Sequence, residues 1–359
     1  MMKGNKLKFT IIAILLGLVI GAIILLITGY NPLEAYGIMI RGVFGKPKFI
    51  SWTIIKSTPL ILTGISVAFA FKTGLFNIGA EGQFIIGALV ATLVGYFWHL
   101  PPVIHAIVAL LMACLAAAIW GGIAGLLKSK FGVNEVITTI MLNWIALYFS
   151  NFMVFWDKFK RPESEASQKI LESASIGLPE SWKALFGGFF DAPINWGFLI
   201  AILVAFYVRH ILKNTTLGYE LRAVGFNKDA AEYGGINVKK NTVIAMMIAG
   251  GIAGLAGAVH VLGVTREVSI LAAMEGNGFD GIAVSLIGAN NPIGCIFAGL
   301  LFGALKYGGY KIQPGMGAPS EIINIVIGII VLFIAMPKLI EMFKMRRVKK
   351  RGEEVESIK

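Results

Sequence analysis

Residues Val103 to Leu127 read VIHAIVALLMACLAAAIWGGIAGLL, 25 positions without one Asp, Glu, Lys or Arg. A hydrocarbon layer of about 30 Å takes roughly 20 apolar residues of helix to cross. This stretch is long enough, and it predicts a bilayer-spanning helix. Thr242–Thr265 repeats the pattern, again without a charged residue. The whole chain agrees: 57% of it is apolar and 14% charged, with mean hydropathy +0.77. An ordinary soluble domain is roughly 45–50% apolar and about 25% charged. The bilayer is therefore part of the solvent for this chain.

Working outward, further apolar runs occupy Phe9–Gly29, Ser57–Phe71, Gln83–Trp98, Val136–Phe155, Ile194–Val208, Gly281–Leu305 and Ile322–Met336. Lys3, Lys6 and Lys8 precede the first run, as in a signal peptide. That run is long enough to span and no small-residue cleavage site follows it, so a retained first helix is expected. Gly281–Leu305 carries Asn290-Asn291-Pro292 at its centre. Proline removes a backbone donor and disfavours helix just before it, which splits the run into two helices joined by a tight turn. The expected fold is all-α and polytopic, with about ten transmembrane helices and both ends in the cytoplasm.

The charges test this topology. It puts 20 Lys and Arg on the cytoplasmic side and 11 on the other, leaving Lys56 to snorkel at a helix end. That is the positive-inside bias. It also accounts for the net charge of +12 without nucleic acid. Residues 156–195 become an extracytoplasmic loop, 213–241 a cytoplasmic loop and 341–359 a cytoplasmic tail. Gly121 and Gly125, and Gly250 and Gly254, have the four-residue spacing that lets membrane helices touch backbone to backbone. Packing within one subunit is the favoured use of these faces.

Several motifs fail on inspection. Gly276–Gly281 matches G-x-G-x-x-G, but no strand and no βαβ unit surround it. Asn214-Thr215-Thr216 is a glycosylation sequon on the predicted cytoplasmic side. No G-x-x-x-x-G-K-[ST], H-E-x-x-H or nucleophile elbow occurs. Cys114 and Cys295 lie inside apolar runs, and the four histidines have no ligand spacing, so no metal or disulfide framework is expected.

Three interruptions carry the information. Lys72–Gln83 (KTGLFNIGAEGQ) sets three glycines, Asn77, Glu81 and Gln83 between two apolar runs. Polar, non-helical backbone at membrane depth belongs inside the protein or along a watery cavity, and an intramembrane Glu is a functional candidate. An ordinary turn with Glu81 capping the next helix fits as well. Asn134, Glu135, Thr138, Thr139 and Asn143 form a polar stripe entering a helix, suited to a pathway or to interhelical hydrogen bonds. In the third, Asn227 is a good N-cap, Lys228–Tyr233 a short helix, and Gly234-Gly235 its stop. The loop around it is too apolar for solvation alone and suits docking on a partner.

Together these segments resemble the membrane permease of an ATP-binding-cassette importer. The similarity is to the branch handling nucleosides and simple sugars, related to branched-chain amino acid permeases. Thr73–Gln83 (TGLFNIGAEGQ) resembles that family's signature. Phe131–Trp144 (FGVNEVITTIMLNW), Leu221–Val238 (LRAVGFNKDAAEYGGINV) and Phe279–Gly294 (FDGIAVSLIGANNPIG) resemble its further motifs. Gly29–Gly45 (GYNPLEAYGIMIRGVFG) is similar to the nucleoside branch in particular. The resemblance runs from about Phe9 to Lys338.

It implies a type II-like importer permease. The chain would need no cofactor of its own, since ATP is bound by a partner ATPase subunit. Further expected partners are a second permease (a paralogue or a second copy), an extracytoplasmic substrate-binding lipoprotein and a small-molecule substrate. Asn227, Lys228, Asp229, Ala230, Ala231, Glu232 and Tyr233 would be the coupling helix that fits the ATPase. Asn77, Glu81, Asn143 and Asp280 are the expected polar groups of the substrate pathway, with Phe76, Trp144 and Phe279 to stack on a ring. The expected cargo is a nucleoside, of the purine kind first, with a simple sugar as the alternative. An ion-coupled transporter usually has more ionisable groups inside its helices. A membrane-embedded enzyme lacks a catalytic cluster here, and a scaffold gives no reason for the intramembrane Gly, Asn and Pro.

Overall fold

The computed structural model describes residues 2–179, 182 and 191–335. The expected cytoplasmic tail at 341–359 lies outside the described residues. The secondary structure is helical; the only β pairing among the described residues is three isolated bridges, at Lys160–Ser167, Ala166–Ser269 and Gly177–Asn195. The chain divides into two compact units, Lys46–Ala304 and a second made of Met1–Gly45 with Leu305–Lys359.

In chain order the helices are α1 (Met2–Ile27), α2 (Pro32–Phe44), α3 (Pro47–Lys72), α4 (Ala80–Phe97), α5 (Ile104–Phe131) and α6 (Glu135–Val154). There follow α7 (Gly197–Asn214), α8 (Thr216–Phe226), α9 (Lys228–Tyr233), α10 (Val238–His260) and α11 (Asn277–Ile287). The last are α12 (Pro292–Gly309), α13 (Ile312–Met316) and α14 (Ser320–Ala335). Among the described residues seven helices are long and apolar enough to cross a membrane, or eight if α1 and α2 form one span bent by 120°.

The expected ten differ from this for a physical reason. The split at Asn290–Pro292 is there, with Ala289 and Asn290 at positive φ and Pro292 opening α12. But its first half, α11, has 11 residues. At 1.5 Å per residue that is about 16 Å, half a hydrocarbon core. α14 has 16 residues within the described part of the chain.

In the larger unit α3, α4 and α10 are the interior, with 83, 78 and 72% of their apolar windows buried; α5, α6 and α7 bury 33% or less. The outer three keep apolar faces such as Leu111, Leu115 and Ile119 exposed, which suits lipid or a partner helix. The small residues do what their spacing suggests, within the unit. Gly250 of α10 lies against Gly121 and the Ala117 carbonyl of α5, and Gly125 against Val243. On the other side of α10, a Cβ at Gly257 would overlap the Phe84 carbonyl of α4. Backbones this close gain dispersion contacts that larger side chains would prevent.

The hydroxyls of α3 bond back to their own helix, Ser57 to the Thr53 carbonyl (2.7 Å) and Thr58 to that of Ile54 (2.9 Å). Ser66 instead reaches the Ala249 carbonyl of α10 at 2.6 Å, tying the two central helices together. In the smaller unit α1 packs on α14, and the Tyr36 hydroxyl of α2 donates to the Leu18 carbonyl of α1 at 2.7 Å.

Candidate functional site

Residues Thr73–Gly79 leave α3 without helix and run back alongside it. Gly74 takes a left-handed φ of +72° at the turn, against Gly225 of α8. Asn77 then sits beside Ser66, its amide nitrogen 3.5 Å from that hydroxyl. Asn77 and Gln83 exchange amide hydrogen bonds at 2.9 and 3.2 Å.

Helix α6 holds the same segment. Asn143 Oδ1 accepts from the Gly82 N–H (2.8 Å), and its Nδ2 donates to the Ile78 carbonyl (3.1 Å). The Glu135 carboxylate at the start of α6 pairs with Lys128 of α5. Buried irregular backbone requires such partners wherever water is absent.

Glu81 is wholly buried in the first turn of α4. Its two oxygens accept from the N–H groups of Gly276 (2.8 Å) and Gly278 (2.5 Å), at the start of α11. Residue Gly276 gives α11 no side-chain cap, so a carboxylate 195 positions earlier in sequence supplies one. The N-terminal turns of two helices thus meet at one carboxylate, and both favour negative charge. Thr63 Oγ1 donates to the Asn277 carbonyl at 3.0 Å. Thr63 lies about 14 Å of helix from the Lys72 end of α3, so α11 starts well inside the span. Only glycine fits at 278, where a Cβ would overlap the Glu81 backbone, and Gly276 has φ +83°.

Above Glu81 opens a cavity of about 300 Å³. One wall is a single face of α4, with Glu81, Phe84, Ile85 and Ala88 on successive turns. Ser150 of α6 and His260, where α10 passes into a π-helical turn at Val261–Thr265, face it from other sides. The rim is the segment Glu267–Glu275. The loop after α6 fixes that rim: Ser167 N–H donates to the Val268 carbonyl (2.8 Å), Ile270 N–H to that of Glu165 (2.8 Å), and Arg161 pairs with Glu267 (2.5 Å).

Of the expected pathway residues, the fold gathers Asn77, Glu81 and Asn143 around one turn, with Phe279 and Asp280 in the first turn of the helix Glu81 caps. Glu81 alone of the seven lines the cavity. Phe76 stacks on Phe71 (5.1 Å between centroids), and Trp144 stacks on Tyr148 (6.0 Å) on an exposed face of α6. Phe84, Ser150 and His260 were missed. The available signal was weak: a serine and a histidine, each at the far end of an otherwise uncharged run.

The expected short helix forms over the same residues. Asn227 Oδ1 accepts from the Ala230 N–H at 3.0 Å, Gly235 takes φ +83°, and Ala231 is the buried member of Lys228–Tyr233. Phe226 just before the helix and Tyr233 at its end are 91 and 98% exposed.

Many apolar helices, interrupted at depth and meeting around a cavity, define a membrane transport protein of the permease class. Residues 49–335 match the family described as branched-chain amino acid transport system / permease component, and the chain belongs to it. The chain is 42% identical to the guanosine ABC transporter permease protein NupP of Bacillus subtilis, over 97% of this chain and 98% of that one. It is 38% identical to the nucleoside ABC transporter permease protein NupB of Lactococcus lactis, over 94 and 93%. A second Bacillus subtilis guanosine permease, NupQ, is 30% identical over 70% of this chain and 78% of its own. No solved structure matches the chain.

Proposed function

We propose that this chain is the nucleoside-translocating permease subunit of an ATP-binding-cassette importer in a prokaryotic cell membrane. The observation that carries the reading is the near full-length likeness to two permeases named for guanosine and nucleoside transport. The cavity floored by Glu81 is in keeping with it, since carboxylate and hydroxyl groups suit a neutral polyol bearing a ring.

In this reading ATP is bound and hydrolysed by a separate subunit, because the chain has no phosphate-binding loop of its own. Residues Asn227–Tyr233 dock on that subunit through the exposed rings of Phe226 and Tyr233. The Lys72 end of α3 and the 213–241 loop face the cytoplasm with both termini, and 156–195 faces the binding lipoprotein. NupP and NupQ are two different guanosine permeases of one organism, which supports pairing with a paralogue over pairing with a second copy.

The test is uptake of labelled guanosine, uridine and ribose by cells expressing the whole importer, against cells lacking this chain alone. Nucleoside uptake that needs the chain is expected. Uptake of ribose with no nucleoside uptake would replace the reading with its sugar-transport alternative.

A further inference from the structure

Ser150 is 1% exposed and faces the cavity, yet its Oγ has no hydrogen-bond partner among the described residues. A buried hydroxyl without a protein partner costs free energy, and on a cavity wall the partner that satisfies it is water or the polar group of a solute. Elsewhere in the lining the Phe84 and His260 rings lie 5.9 Å apart, inclined by 42°. Rings and a hydroxyl on one cavity lining are groups that a flat heterocycle carrying hydroxyls can contact. At about 300 Å³ the cavity sits at the lower end of small-molecule sites, the size for one such molecule.

The charges select further. Glu81, Glu267 and Glu275 line the space, Glu267 paired with Arg161, and among the described residues neither Lys nor Arg lines it. Carboxylates accept from hydroxyls and repel a phosphate. The π-helical turn after His260 departs from the α-helix at this wall, a distortion that recurs at functional sites.

From these observations we infer that the cavity is a transit site for an uncharged nucleoside, with its base against Phe84 and His260 and a hydroxyl on Ser150 Oγ. Nucleotides are excluded from it. The inference rests on the nucleoside-import reading and assigns to it residues that no motif marks.

The test is thiol protection in the assembled importer. Ser150→Cys is placed in a chain carrying Cys114→Ala and Cys295→Ala, and its labelling by a small methanethiosulfonate is timed in membrane vesicles. Guanosine at about ten times its dissociation constant should slow labelling roughly tenfold. Guanosine monophosphate should not slow it, nor should guanosine slow labelling of Asn214→Cys on the exposed end of α7. Equal rates with and without guanosine, in an importer that still takes up guanosine, would overturn the site and leave the function standing. Absence of guanosine uptake by the wild-type importer would overturn the function itself. Equal protection by the monophosphate would overturn the selection against charge. Phe84→Leu gives an independent reading that needs no added cysteine: guanosine uptake should fall several-fold at wild-type complex level, and undiminished uptake would count against the base contact.

Discussion

Replacing Glu81 by alanine removes the acceptor for two backbone N–H groups, those of Gly276 and Gly278. Each buried donor left without a partner costs about 1–3 kcal/mol, so the two together cost about 2–6 kcal/mol. The adjoining cavity admits water, which places the expected loss near the lower figure. Glu81→Gln keeps one acceptor oxygen but turns an NH₂ toward the other N–H. It should lose about half as much, about 1–3 kcal/mol. A loss of 2 kcal/mol shifts an equilibrium roughly thirtyfold, so the ratio of docked to undocked α11 should fall by that order.

Two measurements separate the consequences. Thermal stability of the detergent-extracted importer should decrease in the order wild type, Glu81→Gln, Glu81→Ala. Amide exchange at Gly276 and Gly278 should quicken in the same order while that of Ser66–Phe71 stays slow. Guanosine uptake should fall in Glu81→Ala. The reasoning fails if Glu81→Ala loses uptake while stability and exchange at Gly276 and Gly278 match the wild type. The carboxylate would then act on substrate alone, and the helix junction would be held by something else.

Gly254→Leu should prevent recovery of monodisperse protein on size exclusion, since even a Cβ there overlaps that of Ala117 on α5. Gly328→Ala is its control, with nothing within 4 Å, and should elute as wild type. Asn227→Ala removes the cap on Ala230, about 1 kcal/mol, and together with Tyr233→Ala should reduce co-purification of the ATPase several-fold. Undiminished ATPase recovery would move the docking surface elsewhere. Arg161→Ala breaks a partly exposed pair with Glu267, worth about 1 kcal/mol at most, so stability should change little. If the pair holds the cavity rim, the same variant should bring thiol labelling at Ser150→Cys closer to the rate of an open site.

Much of the fold is readable along the chain because lipid imposes a long, uniform pattern. Ile104–Phe131 and Val238–His260 follow directly from runs without charge, and the break before Pro292 follows from proline geometry. What the pattern does not contain is depth. α11 reads as an ordinary span, since nothing local says that it begins inside the membrane, and for α4 the polar turn Lys72–Gln83 is the local sign. Their depth is set by Thr63, Ser66 and Asn143 on other helices. The partners of Glu81 are equally invisible, because a carboxylate and two glycine N–H groups make no sequence pattern over such a separation. Gly276-x-Gly278 does stand out, as a nucleotide-binding pattern that this fold cannot use. The glycines are needed for another reason: close approach of the Glu81 backbone and a left-handed φ. The small-residue faces of α5 and α10 were legible for the opposite reason, as their four-residue spacing is itself the packing geometry.

A buried carboxylate is a costly choice for joining two helices, and the geometry accounts for it. A side-chain amide has one acceptor oxygen, and the junction presents two N–H groups, from Gly276 and Gly278. A backbone carbonyl there would need a further chain segment at depth. A carboxylate meets both donors from one residue. Desolvating its charge is offset by charge-assisted hydrogen bonds and by the N-terminal turns of α4 and α11. Every element of the offset is directional, so it holds only while α11 stays where Glu81 can reach it. Glu81 also lines the cavity. A junction whose stability depends on the relative position of two helices, and whose central group borders the space a solute would occupy, is well placed to let cavity and helix positions influence each other. An apolar contact at the same place would leave both N–H groups without an acceptor and would not respond to the cavity.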